Sequence, residues 1–380
     1  MYLSFNEVYI TEQDRMSYYN NNYILIFLSI ILFFVVLYIF YKKNIGMIRT
    51  INSSIKRYPH RNINRFLFTF VLVLLFLAYF NIFVLSSTPP FFGEGYINRI
   101  GYLEQTTLWS FFKPFGAILI IVPIILGYLK ANYYYDSKSS KKLYILFTLY
   151  IIYLIFIGQK FSGMMIGIFY FTIPQLILMI QQKKKILTPK RVMLIFFIAV
   201  CFFILLIFHY SKNPIALEMG GPVQFIFYRI FALQGHMSWG YYNAYDFLTF
   251  EPLNMYHAMQ NMMIAVGEPT IVDSMISRGV NFTGAFPTIV FFSFPMGINL
   301  LVLMIIFYIY TVFAFTLIRS IDTIYYIFYM YIFNYIITFF SRGSIEEILN
   351  FKVLGLFMLI YFIRMLSIIS SRKKHVHEMA

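Results

Sequence analysis

Residues 42–65 read KKNIGMIRTINSSIKRYPHRNINR, and residues 66–85 read FLFTFVLVLLFLAYFNIFVL. The first stretch carries Lys42, Lys43, Arg49, Lys56, Arg57, Arg61 and Arg65 without an acid; the second carries no charge. A helix rises 1.5 Å per residue, so about 20 apolar residues match the roughly 30 Å hydrocarbon core of a bilayer. A basic stretch abutting such a run predicts a membrane span with a cytoplasmic flank.

The pattern recurs along the chain. Its 380 residues are 60% hydrophobic and 12% charged, against about 25% charged in a soluble domain. A water-soluble core cannot hide that much Phe, Ile, Leu and Tyr. The sequence predicts an all-α polytopic membrane protein of about nine spans. They lie near Tyr23–Tyr41, Phe66–Leu85, Pro114–Leu129, Leu143–Gly158, Met164–Ile180, Val192–His209, Ile298–Ile318, Ile324–Phe340 and Phe351–Ile369.

Charge between the spans alternates. Lys130–Lys142 holds four lysines and Asp136, Gln181–Arg191 holds Lys183, Lys184, Lys185, Lys190 and Arg191, and the tail holds Arg372, Lys373 and Lys374. The connections of the other parity, Ser86–Lys113 and Ser211–Thr283, balance acids against bases. The positive-inside rule puts the basic set and the C-terminus in the cytoplasm, and the N-terminus outside. The net charge of +15 is then topology and contact with anionic membrane lipids, not a nucleic-acid surface. Met1–Asn22 carries Glu7, Glu12 and Asp14 against Arg15, which does not read as a signal peptide. Cys201 is the only cysteine, so no intramolecular disulfide or cysteine metal cluster forms.

Four parts follow: a bundle of about six spans over 1–210, a large outer helical loop over 211–283, a segment over 284–297, and the last spans with a basic tail over 298–380. Within the third part, Ala285–Pro295 is apolar but bracketed by Pro287 and Pro295. It is too short to span and reads as re-entrant or interfacial, a conformation tolerated only against protein or a water-filled cavity.

Loops as long as Ser211–Thr283 are usually functional. After Gly220-Gly221, Pro222 suits a first helical position, and a helix is predicted over Val223–Ala244. A second starts at Pro252, covers Met255–Val266 and stops at Gly267, with Pro269 beyond; a third covers Val272–Arg278. Met255, Met259, Met262 and Met263 form a face suited to lipid, to a groove for a lipid chain, or to packing against the bundle.

Arg229, Leu233, His236 and Gly240 share one face of the first loop helix. A guanidinium grips phosphate bidentately and stays charged, while an imidazole titrates near neutrality and suits general-base work. The alternative is an interfacial helix whose arginine meets headgroups. Arg278 precedes the Asn281–Gly284 turn, Arg342 stands where a span leaves the membrane, Arg99 lies in the first outer loop, and Lys160 sits in the tight turn Gly158-Gln159-Lys160-Phe161. Ionisable residues at that depth are candidates by default, with snorkelling as the alternative. His209 closes the sixth span. There is no HExxH, DxD or Cys/His set, no P-loop and no GxGxxG. Neither a metal nor a nucleotide cofactor is expected.

Chemistry outside the cytoplasm needs a donor already activated, most simply a lipid-linked pyrophosphate. At Arg229–Trp239 (RIFALQGHMSW) and at Asn281–Pro287 through Phe294–Gly297, the sequence resembles the bacterial O-antigen and polysaccharide polymerases. The span layout with a dominant late outer loop is similar too. The resemblance implies a GT-C-like, metal-independent glycosyltransferase of the inner membrane. It would move a growing glycan from undecaprenyl pyrophosphate onto another undecaprenyl-pyrophosphate-linked repeat unit, with a chain-length regulator as a candidate partner. It also implies that Arg229, Arg278 and Arg342 hold the anionic donor; His236 would be the base, with Arg99 and Lys160 as further phosphate contacts. A ligase that moves finished glycan onto lipid A-core shares this layout. A lipid-linked oligosaccharide flippase is the alternative of another class, but it should carry ionisable residues inside its spans.

Overall fold

The structure is a computed structural model. It describes residues 61–86, 88–93, 119–132, 137–159, 161–181, 189–212, 220–231, 258–277, 288–295, 297–321 and 323–342, most of 27–42, and scattered positions including Tyr102. Every regular element among them is helical. In chain order these are α1 Ile30–Phe40, α2 Arg61–Phe80, running into a π-helical segment Asn81–Leu85, α3 Ile121–Asn132, α4 Ser137–Phe156, α5 Phe161–Gln181 and α6 Pro189–Tyr210. Then follow α7 Pro222–Phe231, α8 Ala258–Val266, α9 Pro269–Ser277, α10 Thr288–Ser293, α11 Ile298–Arg319 and α12 Tyr325–Arg342.

Two of these helical stretches, Ile63–Leu85 and Ile298–Arg319, are long and apolar enough to cross a membrane. α4, α5, α6 and α12 overlie four further expected spans. The expected span Pro114–Leu129 needs correction at its inner end. Its helix continues to Asn132 and takes in Lys130, read from sequence as the first loop residue. The expected span Phe351–Ile369 lies mostly outside the described residues.

The chain forms two compact units. One comprises Arg49–Phe227 with Leu317–Tyr331, and α3 is its centre. Every residue from Val122 to Ala131 is buried, as expected of a helix that is apolar all round. It packs chiefly on α5, and also on α2 and α4. Gly127 makes the α5 contact possible, since a Cβ there would stand 2.6 Å from the Tyr170 carbonyl oxygen and 3.1 Å from Phe171 Cα. Pro174 lies four residues after Tyr170 inside α5. It has no N–H to give that carbonyl, and its ring pushes the carbonyl aside. The backbone group released by the proline is thus the one that α3 approaches through its glycine. Phe147 of α4 stacks on Phe171 at 4.0 Å and 5°, and the Tyr79 hydroxyl of α2 donates to the Leu149 carbonyl at 2.8 Å.

The other unit comprises Met1–Ile48, Tyr228–Thr316 and Ile332–Ala380. Phe307 of α11 packs on Phe33 and Phe40 of α1 at 5.4 and 5.9 Å, and Tyr310 and Phe313 meet Phe333 of α12. All six residues of α10 are buried. At 1.5 Å per residue it is about 9 Å long, far short of a bilayer.

Outward faces are apolar as well. α2 exposes Phe66, Val73 and Phe76, the π-helical segment after it Phe83, α6 Met193, Phe196, Phe197 and Ile204, and α11 Leu301, Ile305, Tyr308 and Ile309. Exposed apolar faces of this kind mark surfaces that contact lipid or another protein.

Candidate functional site

Three connections meet at one end of the α3-centred unit. The Pro89–Gly93 turn after α2 is closed by the Phe92 amide donating to the Pro89 carbonyl at 2.9 Å. The turn after α4 places Gly158 at φ +66, where a side chain is strained. A Cβ on Gly158 would stand 3.4 Å from Pro90 and 3.7 Å from His209 Cε1 at the end of α6. Lys212 Nζ, just beyond α6, donates to the Gly93 carbonyl at 2.9 Å. Phe91, Phe92, Phe156 and Phe208 fill the space between. These are the connections that charge alternation assigns to one side of a membrane, and they do share an end. His209 sits beside the Gly158 turn, and Lys212 is bonded to the Pro89–Gly93 turn. Lys212 was not singled out from sequence, where its one signal is that it stands three positions after the end of the expected span Val192–His209.

Tyr102 pins the first outer loop to the same unit. Its side chain is 1% exposed and its hydroxyl lies 2.5 Å from Ser86 Oγ. Burial pushes its phenol pKa up, and the bond to Ser86 pulls it back.

Of the residues proposed from sequence, two have a described backbone. Arg229 lies on α7, which starts at Pro222 as expected after Gly220 and Gly221 at φ 88 and 113. Arg342 closes α12. His236, Arg278, Arg99 and Lys160 lie outside the described residues, as does the predicted continuation of α7 to Ala244. The loop helices also differ in detail. α8 ends at Val266, before Gly267 as expected, but Pro269 also opens α9, with only Gly267 and Glu268 between the two helices. This is the first-turn position where a missing N–H costs nothing. On α8, Met262 and Met263 are fully buried, so this part of the methionine face packs inside the protein.

The residue that sequence reading missed is Lys130. It is 3% exposed, with Nζ 3.9 Å from the centroid of Tyr144 and 4.2 Å from that of Phe171. No carboxylate or hydrogen-bond acceptor accompanies it among the described residues. A desolvated cation–π contact is worth about 2 kcal/mol or more, while burying an ion costs several kcal/mol. Two rings therefore offset the cost in part only. Tyr144 lies 12 residues, about 18 Å of helix, before Phe156 at the shared end described above. Toward the other end, Tyr144 lies about 10 Å along α4 from Ser137, and Lys130 stands in the last turn of α3.

Residues 254–366 are similar to a family of unknown function, DUF6418. No curated protein and no solved structure matches the chain. The family match covers α8 to α12 and the sequence positions of Arg278 and Arg342, and it stops short of Arg229, His236 and Lys130. Its description names no activity.

Proposed function

We propose that this chain is a multi-pass inner-membrane polysaccharide polymerase of about nine spans, with its N-terminus in the periplasm and its C-terminus in the cytoplasm. The acceptor sugar hydroxyl attacks the anomeric carbon of the donor glycan, and the bond to undecaprenyl pyrophosphate breaks. His236 takes the hydroxyl proton, and undecaprenyl pyrophosphate leaves with the electron pair. Arg229, Arg278 and Arg342, with Arg99 and Lys160, hold the pyrophosphate and stabilise the charge that develops on it. The donor is already activated, so no metal, nucleotide or other cofactor is needed. The observation that carries this reading is the convergence of the Pro89–Gly93, Ile157–Gln159 and His209–Lys212 connections at one end. A site at a membrane face requires its loops on one side. The resemblance at Arg229–Trp239 supplies the chemistry.

Deleting the gene and separating the lipopolysaccharide by electrophoresis tests it. Core bearing a single repeat unit is the expected product. Bare core would point to a ligase or flippase, and an unchanged ladder would end the proposal. One observation favours the flippase as a second reading, namely an ionisable residue within the bundle, Lys130.

A further inference from the structure

Three residues at the end of α6 each meet a different partner. His209 stands beside the Gly158 turn, and Lys212 donates to the Gly93 carbonyl at 2.9 Å. Between them, Tyr210 is buried and meets Phe225 of α7 edge to face, with ring centroids 5.1 Å apart at 72°. The first two contacts, with Phe208 against Phe91 at 6.0 Å, tie this end of α6 to the turns after α4 and α2. Tyr210 therefore stands on a fixed platform.

The chain before α7 turns it back onto that platform. Gly220 and Gly221 take φ 88 and 113, which other residues rarely adopt. The Gly221 amide donates to the carbonyl of the buried Ala216 at 2.8 Å. Phe225 and Ile226 are buried, and Phe227 meets Phe203 of α6 at 6.3 Å. Phe203 and Tyr210 are seven positions apart and share one face of α6. Edge-to-face aromatic pairs prefer a defined geometry, so two of them fix the direction of α7 as well as its place. α7 is continuous from Pro222 to Phe231, and Arg229 follows Phe225 by one turn of it.

We propose that Tyr210 is a positioning residue. Its ring, packed on Phe225, sets α7 and through it the placing of Arg229 for the donor pyrophosphate. The task of Arg229 rests on the glycan-transfer reading, whereas the docking of α7 does not.

Two measurements on the full-length purified protein test this. The first involves no glycan. In a Cys201→Ala background, Arg229→Cys reports on α7 through its rate of labelling by a maleimide. Tyr210→Ala should raise that rate at least about threefold, because a helix freed from its anchor opens more often. Tyr210→Phe keeps the ring and should stay near the parent rate. Equal rates for Tyr210→Ala and Tyr210→Phe would overturn the proposal. The second is glycan transfer in liposomes with Arg229 in place. Tyr210→Ala should lower kcat about tenfold per folded molecule, since misplacing a group that acts on the departing charge is costly. Tyr210→Phe should recover most of the rate. In Arg229→Lys, where the fork is already gone, Tyr210→Ala should cost less than about twofold. An unchanged kcat in Tyr210→Ala would overturn the proposal, as would an equal loss in the two backgrounds. A wild type that transfers no glycan would defeat the glycan reading and the task of Arg229 with it, while labelling still decides whether Tyr210 holds α7. Should Tyr210→Ala not accumulate, Phe225→Ala removes the other ring of the same contact and is held to the same outcomes.

Discussion

Arg229 and Tyr102 show what single residues do in this account. Arg229→Ala should abolish long glycan chains while the protein still accumulates in the membrane, and Arg229→Lys should restore little. A point charge does not replace a bidentate fork. Full-length chains from Arg229→Ala would remove it from the site. Tyr102→Phe keeps the buried ring and loses the bond to Ser86. It should lower stability by about 1 kcal/mol, read as a drop in the unfolding midpoint, and an unchanged midpoint would mean that packing alone pins the loop. Single residues were also where sequence reading was weakest. Lys130 follows an apolar run and precedes a lysine-rich stretch, so charge pattern alone placed it in a cytoplasmic loop. Its burial depends on α3 being surrounded on every side, which no periodicity within Ile121–Asn132 reveals, because the helix before Lys130 is apolar all round. Lys212 was hidden likewise, since its partner is a backbone carbonyl 119 residues away in sequence.

At the scale of elements, apolar runs were legible and their joints were not. α2, α5, α6 and α11 lie where uncharged runs of bilayer length predicted them, because that pattern needs no tertiary information. α9 begins earlier than expected because Pro269 fits both a stop after one helix and the start of the next, and only the fold decides. The α3–α5 contact gives a prediction at this scale. Gly127→Ala puts a methyl within 2.6 Å of the Tyr170 carbonyl oxygen, and backbone cannot step aside as a side chain can. Overpacking of this kind costs about 1–3 kcal/mol. The unfolding midpoint of Gly127→Ala should fall clearly. Gly163→Ala should fall less, because the atoms nearest its Cβ belong to the Gln159 side chain rather than to backbone. Equal midpoints for the two variants would contradict the packing argument.

At the scale of the molecule, the connections shared by one end of the bundle lead to a topology experiment. Cys201 is the only cysteine, so Cys201→Ala gives a clean background for single-cysteine labelling. With a membrane-impermeant maleimide, Gln159→Cys should label in spheroplasts, and Lys141→Cys only after lysis. The reverse pattern would invert the orientation and move Arg229 to the cytoplasm. The expected sidedness rests on charge excess that is local to each loop, whereas a site of the proposed kind would depend on side chains brought together across long stretches of chain. The most direct test of polymerase activity is reconstitution. The purified protein would be placed in liposomes with the source bacterium's undecaprenyl-pyrophosphate-linked repeat units, with a chelator present and no nucleotide added. The account predicts a ladder of lengthening lipid-linked glycans and release of undecaprenyl pyrophosphate. Repeat units that stay monomeric with active-quality protein would contradict it.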